Sequence, residues 1–394
     1  MTAIADHPLR YPLTNELHAR PFPTLGVPGT AVFIAIKPAE NAAARDRAAD
    51  FHHLTKLLDR HGVAHPPPGA THYFGRIGKY ALKWESHTEF VTYTAFADGV
   101  SARSFDPADF EVFPADWLAE APGMRITSAL VRIDVLKEKE EVVRSLSDWF
   151  VPESLAASYV LDEAAVVAGD FRIDPAGHIR LAVFVAPGTG ARRVGRIVQR
   201  MLEIETYKTM SMLGFARVRE IGSRMGHIDR QLTDLMADMR DEEKSADLTL
   251  AGLLAVSAEL ENLGVQTSFR FGATSAYEAI VHQRIEVMRE TRFDGRQTLN
   301  EFMMRRYDPA MRTVKASEAR LKAMSDRAIR AGELLRTRVD VERSAQNQQL
   351  LESMNQRADM QLRLQKTVEG LSTVAISYYA VSLLSYVLYP LAEP

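Results

Sequence analysis

The chain contains no cysteine. Disulfides, thiolate nucleophiles and thiolate metal sites are therefore excluded, and the composition suits a reducing compartment. An apolar run is also missing from the N-terminus. Residues 1–20 read MTAIADHPLRYPLTNELHAR, with prolines and charges where a secretory signal needs a continuous apolar core. The expected place for the body of the protein is the cytoplasm. Catalytic signatures are lacking too: no GxSxG, HExxH or GxGxxG occurs. Gly75-Arg76-Ile77-Gly78-Lys79 has neither the spacing of a phosphate loop nor a helix after it. Net charge is −3 over 394 residues, so nothing global points to nucleic acid as a partner. These absences argue against an enzyme and call for no cofactor.

Length and a 46% apolar composition allow more than one domain and a sizeable core. One long uncharged run is present, at the other end of the chain. Residues 371–391, LSTVAISYYAVSLLSYVLYPL, hold 21 residues without a charge between Glu369 and Glu393. A helix needs roughly 20 such residues to cross a bilayer. Between Arg305 and Lys366 there are 14 Lys+Arg against 8 Asp+Glu. By the positive-inside rule, that flank keeps the body in the cytoplasm. Inside the span Tyr378, Ser382, Ser385 and Tyr389 are spaced 4, 3 and 4, on one helical face. Such a face suits a contact between helices or the uncharged lining of a pore.

The rest reads in two textures. Residues 1–187 mix strands and helices, an α+β domain. The apolar run AVFIAIK (31–37) reads as a buried strand, 40–61 as a helix, and 73–77, 80–84 and 89–96 as antiparallel strands. Further strands are expected at 126–136, 160–167 and 178–185, and a short helix at 140–150. After Pro187-Gly188 the period turns to 3.6. A helical domain is expected over 188–295, with one helix ending at Gly264 and another over 277–292. A long stalk helix over 296–369 then leads into a transmembrane helix over 370–391. The stalk's Val314, Leu321, Met324, Ala328, Leu335 and Val339 alternate by threes and fours, which calls for another helix against them.

Chemistry-bearing clusters are few. Glu85, His87 and Glu89 alternate, so on a strand they share a face and can hold a divalent cation. The alternative is the wet side of a strand whose Trp84 and Phe90 face the core. His52 and His53 are adjacent on a helix and are expected at the surface. Asn15–Arg20, NELHAR, ties down an arm or lines a site.

Six segments, NELHARPF (15–22), WESHTEF (84–90), TSFRFGAT (267–274), QTLNEFMMRR (297–306), LRTRVDV (335–341) and LLESMNQRADMQLRLQKTVEGLSTVAISYY (350–379), resemble the bacterial domain-of-unknown-function family 3422. The resemblance covers essentially the whole chain and implies a membrane-anchored protein with no assigned catalytic residue. Members usually continue into a second span after a short external loop, and this sequence stops at Leu391-Ala392-Glu393-Pro394. The layout is also CorA-like: a cytoplasmic α/β body and a long helix running into the membrane. The Gly-Met-Asn loop motif of those magnesium transporters is absent. The expected function is a membrane-anchored homo-oligomeric scaffold or regulatory protein. A CorA-like ion or small-solute channel is the second choice and an enzyme the last.

Overall fold

The computed structural model describes residues 4–11, 13–14, 22–40, 42–241 and 243–388. The NELHAR segment and Tyr389 lie outside the described residues.

One mixed sheet is built from β1 (Gly29–Lys37), β2 (His72–Ile77), β3 (Tyr80–Ser86), β4 (Val91–Asp98), β5 (Met124–Val135), β6 (Ala156–Val160), β7 (Ala165–Ile173), β8 (Ile179–Val185) and the two-residue β9 (Thr291–Arg292). Its order is β2-β3-β4-β1-β5-β8-β7-β6-β9. Neighbours are antiparallel except β5 and β8, which run parallel. Continuous apolarity in AVFIAIK follows from the central place of β1, which is covered on both faces. Val32, Ile34 and Ile36 point one way and Ala31, Phe33 and Ala35 the other, all at most 3% exposed.

The first face packs against α1 (Arg47–Arg60), α2 (Ala115–Ala119) and α3 (Lys139–Trp149). Asp46 caps α1 by accepting from the amides of Ala48 and Ala49 at 2.8 and 3.2 Å. His53 of α1, expected at the surface, is 3% exposed. Its Nε2 donates to the Trp117 carbonyl at 3.0 Å, and its Nδ1 accepts from the Tyr93 hydroxyl at 3.0 Å. A carbonyl can only accept, which settles the tautomer. The indole of Trp117 donates back to the His53 carbonyl at 2.8 Å, so α1 and α2 clamp each other.

The second face is covered by α4 (Ala191–Asp238). Lys83 and Thr127 reach from the sheet to Gln199 and Glu205 of that helix. Near its start, the Pro23 carbonyl lies where a Cβ on Gly195 would stand, 1.7 Å away. Only glycine admits that crossing.

The boundary expected at Pro187-Gly188 does not divide the compact units. One unit takes residues 1–223 and 265–320; the other takes 224–264 and the chain from 321 on. The sheet itself explains this, because β9 returns from beyond residue 290 to pair with β6. Next to it the Ala157 amide donates to the Gln297 carbonyl at 2.9 Å, and Gln297 Nε2 to the Leu155 carbonyl at 2.9 Å. Residues 1–187 alone would leave an edge and a face of the sheet open.

Other expectations shift locally. The strand expected over 160–167 is two strands separated by Leu161, Asp162 and Glu163, all at positive φ. The helices expected on either side of Gly264 are one, α5 (Ala246–Glu286). A lone glycine costs about 1 kcal/mol in a helix, which packing outweighs. Stalk and span are likewise continuous. After α6 (Leu299–Arg306), with a capping box between Thr298 and Glu301, α7 runs over Asp308–Leu388. Its 81 residues are about 120 Å of helix.

In the second unit α4, α5 and α7 form a three-helix bundle. The stalk positions Leu321, Met324, Ala328, Leu335 and Val339 are at most 6% exposed, together with Ile228 and Leu232 of α4 and Leu253, Val256 and Leu260 of α5. The seam that called for another helix is thus filled from within the chain. From Asp340 to Val381 every residue of α7 is exposed. Helices Ala246–Glu286 and Asp308–Val387 are both long and apolar enough to cross a membrane.

Burial holds His53 and His178 below the ordinary histidine range. Their neutral forms are favoured in the folded state. Stability is therefore fullest above about pH 6.5 and falls as pH drops through that unfolded-state value. Replacing His53 by Phe is expected to cost about 1–3 kcal/mol at neutral pH, because the Tyr93 hydroxyl and the Trp117 carbonyl lose their partner. It should also flatten the acid limb. Urea melts between pH 5 and 8 check both.

Candidate functional site

Glu85 and His87 both line one cavity, and Glu89 does not join them there. Strand β3 ends at Ser86, so the alternation that would put all three on one face stops before Glu89. Glu89 instead has no exposed surface. Its carboxylate accepts from Arg270 Nη1 at 3.2 Å, from Arg270 Nη2, and from the Tyr277 hydroxyl at 3.0 Å. Among the described residues no group of three or more His, Asp or Glu side chains converges as a cation site. Trp84 and Phe90 lie in the core, as expected.

Between the second face of the sheet and α4 lies a cavity of about 240 Å³. Its walls are partly aromatic, with Phe33, Phe90, Phe96 and Tyr207, and Phe22 stands at its edge. His87 stacks on Phe90 with ring centres 4.4 Å apart. Polar groups enter as one alternating chain. Glu85 pairs with Lys83 at 3.1 Å, and Lys83 Nζ donates to Gln199 Oε1 at 2.9 Å. Gln199 Nε2 donates to Glu203 Oε1 at 2.7 Å, and Glu203 accepts from Arg284 of α5. Two cations and two carboxylates thus alternate from β3 through α4 to α5. Lys83 is only 6% exposed. Such a lining suits a small ligand carrying both signs of charge against an aromatic wall.

Tyr277 stacks on Tyr207 at 5.4 Å, which joins this wall to the Glu89 ion pair. Burial, and then the carboxylate of Glu89, push the Tyr277 hydroxyl well above the usual phenol range, so it stays a donor. The pair was not visible in the sequence because 181 residues separate Glu89 from Arg270. Its only trace was that WESHTEF and TSFRFGAT, two segments carrying the family resemblance, hold one partner each.

Breaking a buried pair leaves an uncompensated charge, at about 3–5 kcal/mol. Glu89→Gln is expected to destabilise by that order, and a Glu89→Leu/Arg270→Met double variant by less than Glu89→Leu alone. Denaturant melts of the three variants test this; equal losses in single and double variants would show that the pair is not the coupling element.

A family model described as "Protein of unknown function (DUF3422)" matches residues 5–394. No curated protein and no solved structure matches the chain.

Proposed function

We propose that the chain, which belongs to the DUF3422 family, is a membrane-anchored, self-associating regulatory or scaffold protein. The carrying observation is the end of α7. From 371 to 387 no residue is charged. Leu371, Val374, Ile376, Val381, Leu383 and Leu384 are each 58–69% exposed. Exposed apolar surface costs about 25 cal/mol per Å² in water, and lipid removes that cost. A helix satisfies its own backbone, as a bilayer requires. The positive flank before the run supports a body in the cytoplasm of a bacterial inner membrane. α5 also passes on length and apolarity, but its Leu253, Val256, Leu260, Leu263 and Phe271 are buried in protein. The span is therefore assigned to α7.

Self-association needs an unfilled seam, and the stalk seam is already filled. The outer side of α5 offers one. Within the first unit Val265, Phe269, Gly272, Ala276 and Ala279 alternate by fours and threes, and all five are exposed and uncharged. The Tyr378, Ser382 and Ser385 face of α7 adds a hydroxyl-rich contact within the membrane.

The CorA-like channel reading draws on the same hydroxyl face but needs a closed ring of more than two spans.

Deleting residues 370–394 should move the protein from carbonate-washed membranes to the soluble fraction; retention there would sink the anchor. Phe269→Glu in the detergent-solubilised full chain should lower the mass found by light scattering to that of a monomer. A wild-type mass of two copies favours the scaffold, and a larger ring favours the channel.

A further inference from the structure

A second hollow in the first unit carries a charge imbalance that the cavity described above does not. It measures about 540 Å³ and is walled by small side chains, including Ala39, Ala42 and Ala216. Four charged side chains line it: Lys37 at the end of β1, Arg217 and Glu220 on α4, and Arg270 on α5. Arg217 is neutralised by Glu220 at 2.7 Å. Arg270 is neutralised by Glu89, which lies behind the wall. Among the described residues Lys37 has no such partner. It is 9% exposed, and the one hydrogen bond its ammonium makes among the described residues is 2.9 Å to the carbonyl of the adjacent Pro38.

A buried ammonium held by one backbone carbonyl is costly, because two of its three donors and its charge go unmatched. A like-charged neighbour makes matters worse. Burial first, and then the like charge of Arg270, lower the Lys37 pKa, and Glu89 only partly offsets this. The five groups Lys37, Arg217, Arg270, Glu220 and Glu89 sum to one positive charge, which faces a hollow large enough for a ligand.

We propose that this hollow is an oxyanion site, in which Lys37 and Arg270 bind the phosphate or carboxylate group of a small ligand, with Arg217 at the mouth. The guanidinium can hold one oxygen edge-on while keeping its bond to Glu89, since it carries five donors. The ammonium supplies the matching charge, and charge-assisted hydrogen bonds of this type are about twice as strong as neutral ones. The alanine walls leave room for an uncharged remainder of the ligand. Free phosphate, a carboxylate metabolite and an anionic lipid headgroup share this chemistry. The site lies within the first unit and stands whether or not α7 spans a membrane.

The probe is inorganic phosphate, titrated calorimetrically into full-length protein in neutral detergent, with a second series in micelles containing phosphatidylglycerol. Phosphate binding in plain detergent identifies a free anion. Occupation by phosphatidylglycerol, seen as loss of phosphate binding in the mixed micelles, identifies a headgroup. Lys37→Met should weaken either interaction about 10-fold or more. Arg217→Gln, which changes only a partly exposed rim pair, should weaken it less and serves if Lys37→Met fails to fold. With acetate, whose charge is constant above neutral pH, affinity should fall on the alkaline side at a lower pH than an ordinary lysine would give. Equal affinity in wild type and both variants, or no binding of phosphate, acetate or phosphatidylglycerol to the wild type, overturns the proposal.

Discussion

The first unit depends on one buried charge being met. Glu89 sits in the turn between β3 and β4 with no exposed surface, and Arg270 must come from α5 to neutralise it. That requirement fixes where a helix distant in sequence crosses the sheet. It also places Tyr277 to donate to the same carboxylate, and Tyr207 and Phe90 to pack around it. The alternating row from Glu85 to Arg284 joins the same three elements a second time. A hairpin, α4 and α5 are thereby held by polar contacts whose geometry is specific, where apolar packing alone would tolerate sliding.

The same geometry produces both hollows. Polar side chains directed between sheet and helices keep those layers from closing fully, and the spaces left have different electrostatics. The first is lined by charges that balance within it, and the second by three cations and Glu220, with no carboxylate among the described residues paired to Lys37. A ligand in either would touch residues of both the sheet and the long helices.

Amphipathic patterning was legible but ambiguous about its partner. The alternation at Leu321, Met324, Ala328, Leu335 and Val339 correctly demanded a helix, and that helix turned out to belong to the same chain. The period of a seam states that something must cover it, not what does. Likewise the run through Gly264 was read as two helices because glycine weakens a helix locally; burial of Leu260, Leu263 and Phe271 on either side decides otherwise. Adjacent His52 and His53 cannot both face one ion from a helix, which argues for the surface, whereas the His53 ring is held between Tyr93 and Trp117.

By itself, then, the sequence determined what depends on neighbours along the chain. That includes the β1 run, the hairpin strands β2 to β4, the change to helical period after residue 187, the uncharged segment from 371, and the family. Each is encoded in the order of adjacent residues, through period two, period 3.6 or the length of an uncharged run. Tertiary structure alone decided which distant side chains meet. It broke up the Glu85, His87 and Glu89 set by ending β3 at Ser86, paired Glu89 with Arg270, returned β9 to the sheet, and left Lys37, among the described residues, facing a hollow with no carboxylate paired to it. The reason is physical: a buried charge selects its partner by distance in space, and distance along the chain carries no record of that choice.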